Sequence, residues 1–407
     1  MKQILLLLLI LMTSTTNAQS SITKYGASPL EMRSKREWKR DVRPAVMEFF
    51  QQEVYGKVPH TQPSVDFRII NEGEAFGGKV WRKEVEMTIG GTIKALILIY
   101  LPANHKGKVP VFLGMNFKGN HQIAPDPEIA ISSNAPKGKE LGSDPERGAA
   151  ASRWPVEMIT EAGYGIVTIY RGDIDPDFDD GFQNGIHPHF YAKGQSSPLA
   201  DEWGTIGAWA WSLSRVMDYL EKDRDIDHKH VAVIGHSRLG KTALWAGAQD
   251  KRFAMVISND SGCGGAALSM RKHGETVASI NRNFPHWFCD NYNHYSNNEE
   301  ALWIDQQGLI ALIAPRPVYV ASASLDDWAD PEGEFLSALY ASPIYRLYGK
   351  QGLSATEMLK VGEFDNEGYV GYHLREGKHD ITTWDWQHYI CFADKHFFGK
   401  YRKYNLE

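Results

Sequence analysis

The segment Val231–Gly240, reading VAVIGHSRLG, constrains this chain more than any other. An apolar strand, Val231 to Ile234, runs into Gly235-His236-Ser237-Arg238-Leu239-Gly240, and a helix pattern follows from about Leu239 to Ala248. The resulting G-x-S-x-x-G is one residue longer than the G-x-S-x-G turn that presents a nucleophilic serine, but the physics is the same. A sharp strand-to-helix turn strains the backbone at the serine, and glycines beside it remove side chains that would clash. The hydroxyl is then exposed at the carboxyl edge of a sheet. The helix N-terminus behind it favours negative charge, and the N–H of Arg238 is expected to donate to an oxyanion. A βα-turn with an incidental serine is the bland alternative, and the strand before and helix after weigh against it.

The rest of the chain supplies a sheet for this turn. Strand patterns cover Val80–Thr88, Thr92–Leu101, Val109–Leu113, Gly163–Tyr170, Ala254–Ser258 and Val318–Ala323. Helix patterns cover about Trp203–Leu220 and Thr383–His396, and residues 19 to about 60 are polar and helix-like. Strands alternate with helices through the second half, which predicts an α/β fold: a mostly parallel central sheet covered on both faces, extended by N-terminal antiparallel strands. No internal repeat or low-complexity linker divides residues 19–407, so one catalytic domain is expected there.

The first 18 residues read as a signal peptide. Lys2 gives a positive start, Ile4 to Met12 is apolar, and Thr16-Asn17-Ala18 offers a cleavage site. The apolar run falls short of the roughly 20 residues a bilayer requires. A secreted or periplasmic protein is expected. The net charge of -6, with no Lys/Arg run, argues against nucleic acid or an anionic membrane as partner. Three cysteines, Cys263, Cys289 and Cys391, allow at most one internal disulfide, and Cys263 with Cys289 is the pair to consider.

A base and an acid should follow the serine in chain order. His379, in the loop Arg375–Asp380 ahead of the last helix, is the best-placed base, whereas His388 and His396 fall inside that helix. Two acids compete. Asp260 follows the strand Ala254–Ser258, and Asp326 follows Val318–Ala323. Either would hold the imidazole tautomer and stabilise the imidazolium. Asp326 is preferred and Asp260 remains the alternative. Lys241, one helical turn after Ser237, shares its face and can bring a cation beside the nucleophile. Trp328 is suited to stack on a sugar ring, although most of the twelve tryptophans are read as packing residues.

These residues together resemble the glucuronoyl esterases, carbohydrate esterase family 15, of the α/β-hydrolase superfamily. The resemblance rests on Gly235-His-Ser-Arg-Leu-Gly-Lys241, Asp260-Ser-Gly-Cys-Gly-Gly265, Gly274-Glu-Thr-Val277, Phe284-Pro-His-Trp-Phe288 and Asp326-Asp-Trp-Ala-Asp-Pro-Glu-Gly-Glu334. Asn116–His121 and Gly172–Asp177 also fit. It implies a three-layer α/β-hydrolase sandwich and hydrolysis of esters between 4-O-methyl-glucuronic acid of xylan and lignin alcohols. It implies Ser237 as nucleophile, His379 as base, and Arg238 adding its side chain to the oxyanion site. Lys241, Glu275 and Trp328 match positions that hold the uronate. Fungal members carry Cys where His236 stands and Glu where Asp260 stands. Bacterial members often place the acid after the later strand, hence the preference for Asp326.

Two further signals are read as structural. The acidic run Asp173–Asp180 lacks the Gly and Glu that an EF-hand loop needs at its sixth and twelfth positions, and is expected to be a solvated loop near the site entrance. His187-Pro188-His189 lacks a third ligand spaced for zinc. The expectation is an enzyme that needs no metal or cofactor and acts as a monomer on a carbohydrate ester. Its rivals are an acetylxylan esterase and an inactive carbohydrate-binding protein.

Overall fold

The computed structural model describes residues 25–135 and 146–401. The expected signal peptide, residues 1–18, lies outside them. Ten strands form one sheet in the order β1-β2-β3-β5-β4-β6-β7-β8-β10-β9. The first three, β1 (Val65–Ala75), β2 (Val80–Ile89) and β3 (Ile93–Pro102), make an antiparallel meander. Gly90 and Gly91, both at positive φ (59° and 73°), turn β2 into β3. The antiparallel pairing continues from β3 to β5 (Gly165–Tyr170).

Beyond that point the sheet is parallel. β4 (Val109–Asn116) pairs in parallel with both β5 and β6 (Ile226–His236). β7 (Met255–Asn259), β8 (Val318–Ala323) and β10 (Val370–Arg375) continue in the same sense, and the short β9 (Phe364–Asp365) closes the edge antiparallel. Every residue of β4, β5, β7, β8 and β10 is buried. Strands covered on both faces need continuous apolar runs, which is why the sequence reads IVTI or VYVA there rather than alternating.

Two apolar layers cover the sheet. Helices Thr205–Leu220, Arg238–Gln249, Gln306–Ile313 and Pro331–Leu347 pack on one face with Trp38, Trp203, Trp209 and Trp245. Helices Val156–Glu161 and Thr383–Phe398 cover the other, around Phe112, Tyr164 and Trp386. The expected three-layer α/β-hydrolase sandwich is therefore present. Among the described residues, no helix is long and apolar enough to cross a membrane. The chain's crossovers run toward one edge from β4 to β5 and toward the other from β5 to β6. The direction reverses at β4 and β6, and a crevice opens outside the carboxyl ends of such strands.

Candidate active site

Ser237 stands at the junction of β6 and the helix Arg238–Gln249, with φ 59° and ψ -131°. A non-glycine residue in that region costs about 1–3 kcal/mol, which the surrounding turn must hold in place. Its N–H donates to the Asn259 carbonyl at 2.9 Å, and its own carbonyl accepts from the Gly240 N–H at 2.8 Å. Both motif glycines are sterically required. A Cβ at Gly235 would lie 1.8 Å from the Leu239 carbonyl oxygen, and one at Gly240 would lie 2.9 Å from Ser261 Cβ. The extra residue in the motif thus lets the helix seat against the turn that follows β7.

His379 follows β10 and is 42% exposed, with Nδ1 2.5 Å from Asp326 Oδ2. The two loops are stitched together by backbone: Ser324 N–H donates to the Arg375 carbonyl and Leu325 N–H to the Gly377 carbonyl, each at 2.8 Å. Asp260 lies close by. Ligand atoms of Asp260, Asp326 and His379 all fall within 4.8 Å of one another. Yet Asp260 spends its Oδ2 elsewhere, accepting from the Asp380 N–H at 3.3 Å and lying 3.7 Å from Arg375 Nη2. Its Oδ1 is buried without a hydrogen-bond partner. Burial, reinforced by the neighbouring Glu334, Asp326 and Asp385 carboxylates, pushes the Asp260 carboxyl well above the ordinary range. Between them sits His236, buried, its ring 4.5 Å from that of His379 and its Nδ1 2.6 Å from Asn259 Oδ1. Burial and the proximity of His379 hold His236 neutral, well below the usual histidine value.

Arg238 and Lys241 both line the same cleft, of about 290 Å³, as Ser237, Glu275, Trp328 and His379. One Nη of Arg238 is bound by Asp177, and its guanidinium carbon lies 4.7 Å from the Trp287 ring. That ring stacks in turn on Phe284, 3.8 Å between centroids and 2° from parallel. Arg238 Nε is buried and has no partner. Lys241 is buried, and its Nζ donates to the Ser261 and Cys263 carbonyls at 2.6 and 2.5 Å. Glu275 Oε2 lies 3.6 Å from it. The Glu275 N–H donates to the Trp328 carbonyl at 2.9 Å, joining the two loops, and Trp328 itself is 55% exposed. The sequence placed Lys241 as a cation beside the serine, and it lines the same cleft. The fold also gives it two carbonyls and a carboxylate, because a buried ammonium must be neutralised and hydrogen-bonded.

One sequence reading is corrected in part. The acidic run is solvated only toward its end, where Phe178 and Asp179 are exposed, whereas Asp173 and Asp175 are buried at 3% and 2% exposure. Asp177 is a site residue that the reading missed. Besides Arg238 it receives Trp287 Nε1 at 2.7 Å, His286 Nε2 at 3.1 Å and Arg171 Nη2 at 3.1 Å. Burial opposes its charge, but the His286 hydrogen bond and the two guanidinium groups hold it ionised, below the usual carboxylate range. The signals for it were the acidic run, set aside as a calcium loop, and the place of Gly172–Asp177 in the family resemblance. Cys263 and Cys289, the pair the sequence left open, are buried thiols with no disulfide between them. His187 is buried beside Asp175, with Nε2 3.5 Å from Oδ2.

Comparison with known proteins agrees with this geometry. The family model for glucuronyl esterase, fungi, matches residues 161–349. Carbohydrate esterase MZ0003, from an unknown prokaryotic organism, is 50% identical over 376 residues, covering 90% of this chain and 87% of its own. A promiscuous CE15 esterase from a marine bacterial metagenome superposes with a TM-score of 0.84 at 48% identity, over 93% of this chain and 98% of that one. The glucuronoyl esterase from Solibacter usitatus gives 0.85 at 42% identity, over the same 93% and 98%. With half its residues shared over nearly its whole length, a strained serine after β6 and a histidine after β10, this chain belongs to carbohydrate esterase family 15 and is a carboxylic ester hydrolase of the α/β-hydrolase fold.

Proposed function

We propose that this chain hydrolyses the ester between (4-O-methyl-)glucuronic acid of xylan and lignin alcohols. The observation that carries the reading is the composition of the cleft beside Ser237: a buried Lys241–Glu275 pair and a half-exposed Trp328. A hydroxyl-rich uronate ring calls for both a polar pair for its oxygens and an aromatic face for its C–H side. An acetyl group calls for neither.

In this reading Ser237 Oγ attacks the C6 carbonyl of the uronate while His379 takes its proton. Asp326, at Nδ1, fixes the tautomer and stabilises the imidazolium. The Arg238 N–H, at the first position of its helix, and the Arg238 guanidinium, which lines the same cleft as Ser237, serve the developing oxyanion. Asp177 and Trp287 hold that guanidinium in place beforehand, so little reorganisation is needed as charge develops. The C6–O bond to the alcohol then breaks and His379 returns the proton to the departing oxygen. Water repeats the sequence on the acyl-serine. No step requires a metal or cofactor. One copy of the chain carries every residue used, and a polymeric plant substrate accords with export behind the N-terminal leader.

The test is turnover of methyl and benzyl glucuronate against 4-nitrophenyl acetate. Wild-type enzyme is expected to prefer the glucuronates, and Ser237→Ala to lose about 10⁴-fold or more in kcat. Fast acetate hydrolysis with no glucuronate turnover would leave an esterase with a different acyl group. Glucuronate turnover surviving in Ser237→Ala would remove the nucleophile.

A further inference from the structure

A second cavity, of about 330 Å³, lies outside the carboxyl ends of β4 and β6. Its walls include Phe117, Lys118, Trp154, His236 and Ile381. It shares none of its lining with the Lys241 cleft, yet the two cavities flank the catalytic pair. His236 adjoins Ser237 in sequence and its ring sits 4.5 Å from His379. Ile381 is two residues past His379, and Arg153, also on the wall, pairs with Asp380 at 2.7 Å. Phe117 meets both sides, its ring 6.1 Å from His236 and 6.0 Å from the Arg238 guanidinium carbon.

We infer that this crevice binds the aromatic part of the leaving alcohol. The inference rests on the uronate reading above. An ester carbonyl attacked by a serine carries two substituents, the acyl carbon and the alkoxy oxygen. With the uronate ring among Lys241, Glu275 and Trp328, the alkoxy group must leave the other way, toward the His379 and His236 side. That oxygen has to meet His379, which returns its proton. The crevice sits where crossovers reverse direction, the usual ligand position of an open α/β sheet. Its size is at the lower end for small-molecule sites and ample for a substituted benzene ring. Its buried lining mixes Ile234 and Trp386 with the polar Asn116, Gln122 and His236, while at the mouth Lys118 (58% exposed) and Glu146 (66% exposed) lie 3.9 Å apart and Arg153 is 36% exposed. Such a lining suits a neutral aryl group bearing ether or phenol oxygens. A methyl ester would leave it empty.

Ala149, solvent-exposed at the rim, is the place to fill the crevice without disturbing the core. Ala149→Trp is expected to lower the benzyl-to-methyl ratio of kcat/KM on glucuronate esters by about tenfold or more. A second measurement uses wild-type enzyme and needs no variant to fold. Benzyl alcohol added during methyl glucuronate turnover should intercept the acyl-enzyme: its oxygen bonds to C6, the Ser237 Oγ–C6 bond breaks, and its proton passes to His379. Benzyl glucuronate formation should saturate with benzyl alcohol if a site binds it. A ratio within about twofold of wild type in a folded Ala149→Trp enzyme, or transfer that rises linearly with benzyl alcohol, overturns the inference. Failure of the uronate reading looks different, because wild-type enzyme would then cleave neither glucuronate ester.

Discussion

Two loops of this molecule each end a sheet strand with an aspartate beside the same histidine, and they are built for different work. Asp326, after β8, puts Oδ2 2.5 Å from His379 Nδ1. Asp260, after β7, sits in left-handed backbone (φ 45°) and is 1% exposed, with one carboxyl oxygen unpartnered. Glu334 shares its neighbourhood, accepting from the N–H groups of Ser261 and Gly262 at 2.8 and 3.0 Å and from Ser322 Oγ at 2.6 Å. A carboxyl pressed against another acid in a dry site is pushed up from its ordinary range, whereas Asp326 has the His379 ring as its partner. The lesson is that a place at the end of a strand nominates an acid, and the groups packed around it decide what it can hold.

The sharpest way to break this comparison is to neutralise each aspartate. Asp326→Asn is expected to reduce kcat on methyl glucuronate by about 10³–10⁴-fold, the scale for losing the group that orients a catalytic histidine. Asp260→Asn should cost about tenfold or less, since its Oδ2 is engaged by the Asp380 N–H and lies beside Arg375 rather than holding His379. Steady-state kinetics that reversed the order would hand the role to Asp260. Next in size, Asp177→Asn should lower kcat/KM by about 10²-fold, with the fold intact by circular dichroism. Asp177 binds Arg238, so if its role is to position that guanidinium, restoring the charge with Asp177→Glu should recover part of the rate, and a loss of the same size would count against that role.

Glu334 offers a pH test of the dry side of the comparison. Burial pushes its carboxyl up to about 7. A raised acid contributes stability that is fully present below its ordinary value near 4.5 and is lost as pH rises through about 7. The loss is up to roughly 3 kcal/mol for a shift of this size. Glu334→Gln should therefore flatten the fall in Tm between about pH 5 and pH 8. An unchanged fall would place the titration elsewhere. The smallest expected effect is that of chelation. Asp260, Asp326 and His379 are close enough to hold an ion, yet EDTA should leave glucuronate turnover within about twofold. Loss of activity that one metal restores would reverse this prediction and recast the cluster as ligands.

Much of the site was legible in the sequence because its chemistry is local. The strand, the glycine pair, Ser237 and the helix are contiguous, and steric need makes them so: neither Gly235 nor Gly240 has room for a Cβ. His379 could be read from its loop ahead of the last helix, and both aspartates from the ends of their strands. Asp177 was misread because its partners, Arg238, Arg171, His286 and Trp287, come from three separate segments and its neighbours in sequence are also acidic. The role of Lys241 was half legible. Its spacing put it beside the serine, but nothing near it announced the two carbonyls from residues 261 and 263 that bury it. The crevice of Phe117 and Trp154 had no sequence signal, for it exists through the adjacency of β4 and β6, which are more than 100 residues apart in the chain.

What the sequence by itself determined is which groups this protein owns and the turn that exposes the first of them, since local sterics and hydrophobic pattern act over a few residues. The tertiary structure decided which acid meets the histidine, which cation is already spoken for, and that one cavity is lined by Ser237 and His379 and another by His236 and Ile381 beside them. Those outcomes depend on burial and on charges brought together from distant segments, and through-space electrostatics leave no trace in chain order.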